Sequence, residues 1–540
     1  MTIPGLMQPT PLTLRAIFER MRDVYGDGEV VSPEGRTTYG ELAGDVMRLV
    51  TVLRDLGVET GDRVGTFAFN SARHFALYHA VPLIGAVLHT VNVRLADDQI
   101  AYVVNHAQDK VMFVDAELTG TLAGVAAQLD TITAYVQMGD GPDVGPGNGL
   151  APLHDFDELV SNALPATDAS LPDIDENAAC GLCYTSGTTG MPKGVLSSHR
   201  GMWLHSMATA LAGTLALTEA DRVFPIVPMF HAFGWGLPYA APLVGAELIF
   251  HGSDSSANNI GRIITNERVT LTAGVPTIWK ELLPLVQSGA VDASSLRGIY
   301  VGGSALPRPL IDAYDRAGID IVQLWGMTET GPLACISHPR RAHRGSDRET
   351  LLDQREKTGT IFPGLEARIV APDGTVCARD GATVGELECR GPWIASAYYN
   401  DPDGSREKFH DGWLRTGDMA FMEPDGTFRI VDRAKDLVKS GGEWISSVDL
   451  EGVLLGHPLV RDAAVVGIRS RKWDERPVAV IVAAGGEKPT LESVREFLAP
   501  RVAKWWLPDD VVLMDEIPKT SVGKIDKKAI RALLSDMELP

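Results

Sequence analysis

The sequence predicts an α/β protein, with a large N-terminal portion of layered α/β subdomains, a small β-barrel-like subdomain, and a smaller α+β C-terminal domain. Three observations predict it. From residue 38 onward helical and strand periodicities alternate, the pattern of a layered domain with a largely parallel sheet. Between residues 358 and 433 the texture changes to short β segments separated by Pro363-Gly364, Asp373-Gly374, Gly385, Asp411-Gly412 and Asp425-Gly426. After Asp432 a basic turn leads into a compact α/β pattern. The boundary therefore falls at Lys435, dividing 1–434 from 435–540, and 540 residues leave room for several domains.

Thr38 and Glu41 stand at capping-box spacing, and Leu42, Val46, Leu49, Leu53 and Leu56 recur on one helical face until Gly57. Residues 63–69 read as the following strand, 75–88 as an apolar helix, 100–104 as part of an amphipathic segment, and 110–114 as a short strand. The Gly-, Asp- and Pro-rich stretch 139–149 is a surface loop. Buried strands are expected at 222–227, 247–250, 269–273, 298–301 and 319–324. Residues 224–246 carry no formal charge and could cross a bilayer by length alone. Four prolines (Pro225, Pro228, Pro238, Pro242) and three glycines (Gly234, Gly236, Gly245) would break such a helix repeatedly. The stretch reads instead as strand, loop and short helix lining a cleft, with no membrane span.

Composition narrows the function classes. Hydrophobic residues make up 45% and charged residues 22%, the balance of a folded globular protein. A formal net charge of −21 repels a phosphate backbone, so nucleic acid is excluded as a partner and any phosphate site must be local. The five cysteines are scattered and odd in number, which predicts reduced thiols and a cytoplasmic setting. Cys180 and Cys183 form a lone C-x-x-C whose members point to opposite faces of a strand, so both read as packing residues. Residues 1–21 lack a basic segment followed by an apolar run, and nothing marks export. A homodimer is compatible with the composition.

Chemistry concentrates first at residues 184–195, reading Tyr-Thr-Ser-Gly-Thr-Thr-Gly-Met-Pro-Lys-Gly-Val. Gly187 and Gly190 let the backbone approach an anion and turn N–H groups toward it; Thr185, Ser186, Thr188 and Thr189 add hydroxyls, and Lys193 adds a point charge. A Walker A loop does not fit, because Lys193 follows Pro192 rather than Gly and the β-branched Val195 comes two residues later. The segment resembles the phosphate loop of the adenylate-forming superfamily, which comprises acyl- and aryl-CoA ligases, luciferases and nonribosomal-peptide adenylation domains.

Further matches to that superfamily follow in order. Val301-Gly302-Gly303-Ser304 comes after a strand, and its small residues let a flat ring lie against the backbone. Trp325-Gly326-Met327-Thr328-Glu329 lies at the carboxyl end of an expected strand, where ligands of open α/β sheets sit. The resemblance implies that Trp325 stacks on adenine, Thr328 contacts the α-phosphate and Glu329 holds Mg²⁺. It implies that Asp418 accepts the ribose hydroxyls with Arg433 as a donor, and that Lys524, in a Pro-Lys-Thr-Ser-Val-Gly-Lys loop, is the adenylation lysine. Lys435 becomes the hinge of a mobile C-terminal domain. Gly441, Gly442 and Trp444 resemble the stretch that lines a pantetheine tunnel, in a version similar to medium- and long-chain fatty acyl-CoA synthetases and methylthiopropionate-CoA ligases. Acetyl-CoA synthetases usually carry Arg where Trp444 stands.

For the acid, His231 matches a histidine placed beside the carboxylate and Trp235 an indole gate, while Gly302, Gly326 and Met327 complete the acyl-binding set that the resemblance implies. The uncharged wall predicts an aliphatic or thioether acid of short to medium length. The expected activity is an AMP-forming acyl-CoA ligase using ATP, Mg²⁺ and CoA. A methylthiopropionate-CoA or aryl-CoA ligase, and a catalytically silent nucleotide-binding protein, remain the alternatives.

Overall fold

The computed structural model describes residues 3, 5–141, 149–185, 191–441, 443–520 and 523–539. Its α/β chain divides into two compact units, one comprising Met1–Thr272, Met327–Leu333 and Gly391–Ser405, the other Ala273–Gly326, Ala334–Arg390 and Arg406–Pro540.

The first unit is built on a seven-stranded sheet in the order Leu153–Asp155, Ala134–Met138, Asp109–Asp115, Arg63–Phe67, Val87–Thr90, Ala179–Tyr184, Gly194–Ser198. Neighbours are parallel except the last pair, where Cys183 faces Val195 across an antiparallel ladder. Helix Tyr39–Asp55 starts at the expected capping box: Thr38 Oγ1 accepts the Glu41 N–H at 3.2 Å, and Glu41 Oε2 accepts the Thr38 N–H at 2.9 Å. Its apolar stripe, Leu42, Val46, Leu49 and Leu53, is buried.

The next helix corrects the sequence reading. It spans Ala72–Leu83 rather than 75–88, and Val87 and Leu88 belong to a strand. Every residue from His74 to Leu83 is buried, so no polar stripe marks where helix gives way to strand. A second group of strands, Arg222–Pro225, Glu247–Ile249 and Glu29–Ser32, is parallel, with Gly35–Thr38 antiparallel at its end. The uncharged stretch resolves into strand Arg222–Pro225, a turn Ala232–Gly236 and the eight-residue helix Leu237–Val244. Among the described residues no helix is long and apolar enough to cross a membrane.

In the second unit, Gly298–Val301 runs parallel to Ile321–Gly326, and Cys335 and Ile336 pair antiparallel with Ile361 and Thr360. The region of short β segments forms a five-stranded antiparallel sheet from Glu366–Val370, Gly385–Arg390, Phe409–His410, Trp413–Met422 and Phe428–Arg433. Between Arg390 and Phe409 the chain leaves that sheet and forms a short helix, Pro402–Lys408, which the β-rich reading did not anticipate. Asp401 starts it, its Oδ1 accepting the Gly404 N–H at 2.9 Å.

The last sheet runs Glu443–Ile445, Val438–Ser440, Asp474–Ala483, Val460–Ser470, with Asp510–Leu513 parallel to Asp474–Ala483. Along Val460–Ser470 successive side chains enter two cores. Ala463 and Val465 pack with Leu450, Leu454 and Leu498, while Ala464, Val466 and Ile468 pack with Ile517 and Ile530. Both faces are covered, so this strand reads as a continuous apolar run rather than as an alternation.

Candidate active site

Ser186, Gly187, Thr188, Thr189 and Gly190 lie outside the described residues, as does Gly442. The residues on either side of 186–190 are described. The Thr185 N–H donates to the Lys193 carbonyl at 2.9 Å, and the Lys193 N–H donates to Thr185 Oγ1 at 3.1 Å, so the two residues are bonded to each other in both directions. Lys193 Nζ lies 3.3 Å from Asp401 Oδ2 and 4.9 Å from the centroid of the Tyr398 ring. The Tyr398 hydroxyl donates in turn to Glu329 Oε1 at 2.6 Å. Two backbone bonds fix this segment: the Ala395 N–H donates to the Glu329 carbonyl at 2.9 Å and the Tyr399 N–H to the Gly194 carbonyl at 2.8 Å.

Residues 395–401 thus bring Lys193 and Glu329 together, and sequence reasoning missed them. The available signal was a pair of tyrosines directly before Asn-Asp-Pro-Asp-Gly, a string that reads as a surface turn. The Gly404 N–H, and then the Lys193 ammonium, hold the Asp401 carboxyl below its ordinary range despite an opposing desolvation cost. Glu329 is buried in the turn Thr328–Thr330, which the Met327 N–H closes on Thr330 Oγ1 at 2.8 Å; Thr328 beside it is partly exposed. A lone carboxylate held by a tyrosine suits Mg²⁺, which takes one or two carboxylates together with phosphate oxygens and water. Among the described residues no group of three or more His, Cys, Asp or Glu side chains forms an all-protein metal cage.

The segment that follows strand Arg222–Pro225 is clamped by Asn70, a second residue no local motif announced. Its Nδ2 donates to the carbonyls of Pro225 and Val227 at 3.0 and 2.9 Å, and its Oδ1 accepts the Met229 N–H at 2.8 Å. His231 follows, its N–H bonded to the Pro228 carbonyl at 3.1 Å. The next five residues are all left-handed: Ala232, Phe233, Gly234, Trp235 and Gly236 have φ of 41°, 45°, 53°, 54° and 74°. For the three that are not glycine this costs roughly 1–2 kcal/mol each.

Strand Ala179–Tyr184 supplies what offsets that cost. Cys183 Sγ accepts the Ala232 N–H at 3.0 Å, and the Phe233 ring lies where a side chain at Gly181 would otherwise stand. Burial pushes the Cys183 thiol up to about 11 and the Cys180 thiol up to about 12, so both stay neutral and act through packing and weak hydrogen bonds. His205 packs against Gly236 and accepts the Leu333 N–H on Nε2 at 3.1 Å, which ties the Ala232–Gly236 turn to the segment after Glu329. Burial holds that imidazole down to about 3, so it remains a neutral acceptor. Trp235 is buried within the turn.

In the second unit the Gly302 N–H donates to the Gly274 carbonyl at 3.2 Å; Gly302 is buried and Ser304 exposed. A Cβ on Gly303 would stand 3.4 Å from Lys524 Cε, so the C-terminal lysine packs directly on this turn. Its own loop is pinned by the Thr520 N–H to the Lys524 carbonyl at 2.7 Å and the Lys524 N–H to Thr520 Oγ1 at 3.2 Å. Trp325, Asp418 and Arg433 also meet. The indole Nε1–H donates to Asp418 Oδ2 at 2.9 Å and Arg433 Nε lies 2.6 Å from Asp418 Oδ1. Each carboxylate oxygen keeps a further lone pair for a ribose hydroxyl.

Gly326 and Met327, at the end of strand Ile321–Gly326, are half-buried. The Gly441 N–H donates to the Trp473 carbonyl at 2.7 Å, while Trp444 is 49% exposed, with Lys439 Nζ 5.3 Å from its ring centroid. Arg531 donates to the Lys435 carbonyl at 3.3 Å, and burial lowers the Lys435 ammonium from its ordinary range.

Residues 18–399 match the family model described as AMP-binding enzyme, and residues 449–524 the one described as AMP-binding enzyme C-terminal domain. The chain belongs to the AMP-binding enzyme family. This AMP-binding enzyme is 43% identical to a long-chain-fatty-acid–CoA ligase of Thermus thermophilus, over 98% of this chain and 96% of that one. It is 40% identical to a 3-methylmercaptopropionyl-CoA ligase of Ruegeria lacuscaerulensis, over 98% and 99% of the two chains. Among solved structures it is similar to the anthranilate CoA ligase AuaEII in complex with anthranoyl-AMP, with a TM-score of 0.87 and 26% identity over 98% of this chain and 99% of that one.

Proposed function

We propose that this AMP-binding enzyme is an AMP-forming acid–thiol ligase. It joins a short- to medium-chain carboxylic acid to ATP as an acyl-adenylate with loss of pyrophosphate, then passes the acyl group to CoA and releases AMP. The observation that carries this reading is the approach of Lys524 to Gly303, which puts a C-terminal cation on the turn expected to face the reacting carboxylate.

A carboxylate is ionised at neutral pH and needs no general base. Its oxygen attacks the α-phosphorus, an O–P bond forms, and the bond to pyrophosphate breaks. What the protein supplies is neutralisation of charge gathering on phosphate oxygens. Lys524 and Thr328 donate there, Lys193 and the loop residues Thr185, Ser186, Gly187, Thr188, Thr189 and Gly190 hold the departing phosphates, and His231 orients the carboxylate. Trp325, with Gly303 and Ser304, flanks adenine, while Asp418 and Arg433 fix the ribose. Mg²⁺, when bound at Glu329 with the phosphates, supplies further neutralisation. In the second step the CoA thiol gives its proton to solvent and its sulfur attacks the acyl carbon; the C–S bond forms, the acyl C–O bond breaks, and AMP leaves with the electron pair, while Gly441, Gly442 and Trp444 line the thiol's path. Residues 435–540 act as a mobile domain hinged at Lys435 against 1–434.

The acid is aliphatic or thioether-bearing, because residues 224–246 offer no charge to a polar tail, and Trp235 limits its length together with Gly302, Gly326 and Met327. The enzyme works in the cytoplasm, as a homodimer or a single chain, which fractionation and sedimentation would establish. The reading is tested by measuring pyrophosphate, AMP and thioester from butyrate to decanoate, with 3-methylthiopropionate and benzoate alongside. Acid-dependent pyrophosphate and AMP equal to thioester are expected. Absence of pyrophosphate release with every acid would make the chain a silent nucleotide-binding protein.

A further inference from the structure

Among the described residues, Asp401 is a charged group in the Lys193–Glu329 bracket that the chemistry above leaves unused. ATP brings its own negative charge, so a carboxylate already paired with Lys193 opposes what that lysine is there to bind. Yet its position is built with care. The Gly404 N–H holds Asp401 Oδ1 at 2.9 Å, Lys193 Nζ stands 3.3 Å from Oδ2, and the Tyr399–Gly194 backbone bond ties the segment to the residue after the lysine. A side chain at position 404 would collide with both members of the pair, so the turn keeps this space for them alone. Tyr398, between the two, places its ring by Lys193 and its hydroxyl on Glu329.

We infer that Asp401 is an internal counter-anion. It holds Lys193 when the pyrophosphate end of the nucleotide site is empty, yields it to the triphosphate, and reclaims it as pyrophosphate departs, so that the product is not retained. No covalent bond or proton changes hands; the ammonium exchanges one anion for another. The inference rests on the reading of Lys193 as a ligand of the β- and γ-phosphates. Because both partners are about one-third exposed, the competition is moderate, and its removal should tighten anion binding by about two- to fivefold.

The test is calorimetric titration of magnesium pyrophosphate into the full-length wild type, Asp401→Asn, Lys193→Ala and the double variant, with Asp401→Ser as a second substitution that also keeps an acceptor for the Gly404 N–H. Asp401→Asn and Asp401→Ser should bind pyrophosphate about two- to fivefold more tightly than wild type, and Asp401→Asn should lose that advantage in the Lys193→Ala background. Unchanged or weaker binding by both Asp401 variants, with Lys193→Ala weakened, overturns the counter-anion role alone. An advantage that survives in the double variant overturns it too, since the effect would then not pass through the lysine. If Lys193→Ala binds as tightly as wild type, the phosphate-binding reading of Lys193 falls, and this inference with it.

Discussion

Trp235 combines a large apolar side chain with a backbone conformation that only glycine adopts freely, at φ 54° in a run of five left-handed residues. Substitution can therefore separate side chain from strain. Trp235→Gly and Trp235→Ala should both move the kcat/KM profile toward longer acids by removing the indole, with Trp235→Gly the more stable of the two by roughly 1 kcal/mol. Unchanged relative kcat/KM from butyrate to decanoate in both variants would remove Trp235 from the acyl pocket. Asp115 supports a different prediction. Burial raises its carboxyl from 3.8 to about 7, against the stabilising effect of the Phe69 N–H at 2.7 Å. Below pH 3.8 the group is protonated in both folded and unfolded chains. Between 3.8 and 7 the folded chain keeps a proton that the unfolded chain has lost, so this group's contribution to stability falls as pH rises, then levels above 7. Asp115→Asn, which keeps an acceptor for Phe69, should raise Tm more at pH 8 than at pH 4.5; an equal shift at both would contradict the assignment.

Elements were legible in the sequence where their own residues define them. Thr38 and Glu41 announced a helix start that the hydrogen bonds reproduce, because a capping box is a local event. The end of the Ala72–Leu83 helix was not legible, since helix and following strand are buried on every side. Trp325, Asp418 and Arg433 stood out as motif residues and do meet, although no string says that the indole hydrogen-bonds the carboxylate. Asn70, Tyr398, Asp401 and the sulfur bond of Cys183 were invisible. Each acts on backbone or side chains dozens of residues or more away and matches no local pattern. Lys527 belongs with them. It is nearly buried, its Nζ lies 2.8 Å from Glu451 Oε1 and also contacts Ser447 Oγ, and Ser447 N–H donates to Asp432 at 2.7 Å. This cluster joins helix Lys527–Leu533 and helix Ser447–Leu454 to the strand that ends at Arg433. Lys527→Met should leave buried carboxylates without their cation and cost about 3–5 kcal/mol in urea unfolding, with partial recovery when Glu451→Gln is added. A loss below about 1 kcal/mol would mean that water already solvates the cluster.

The two half-reactions make different demands on one small domain. In the proposed mechanism Lys524 would act in adenylation and Gly441, Gly442 and Trp444 in thiolation, so one small domain would have to present them to the acyl carbon in turn, by rotation about Lys435. Lys524→Ala should lower acid-dependent pyrophosphate release by about 10²–10³, by analogy with loss of a single electrostatic donor, while a supplied acyl-adenylate still yields thioester. Lys435→Pro, which fixes φ at the hinge, should slow the second step more than the first. Single-turnover kinetics of both steps checks this, and equal slowing of the two steps by each variant would contradict the rotation. Beneath both predictions lies the claim that the acid's own oxygen attacks the α-phosphorus of ATP. The direct measurement is mass spectrometry of the products formed from a carboxylic acid labelled with ¹⁸O in both oxygens, together with ATP and CoA. The account predicts AMP carrying one ¹⁸O and a thioester retaining the other; unlabelled AMP, or ADP with labelled phosphate, would contradict it.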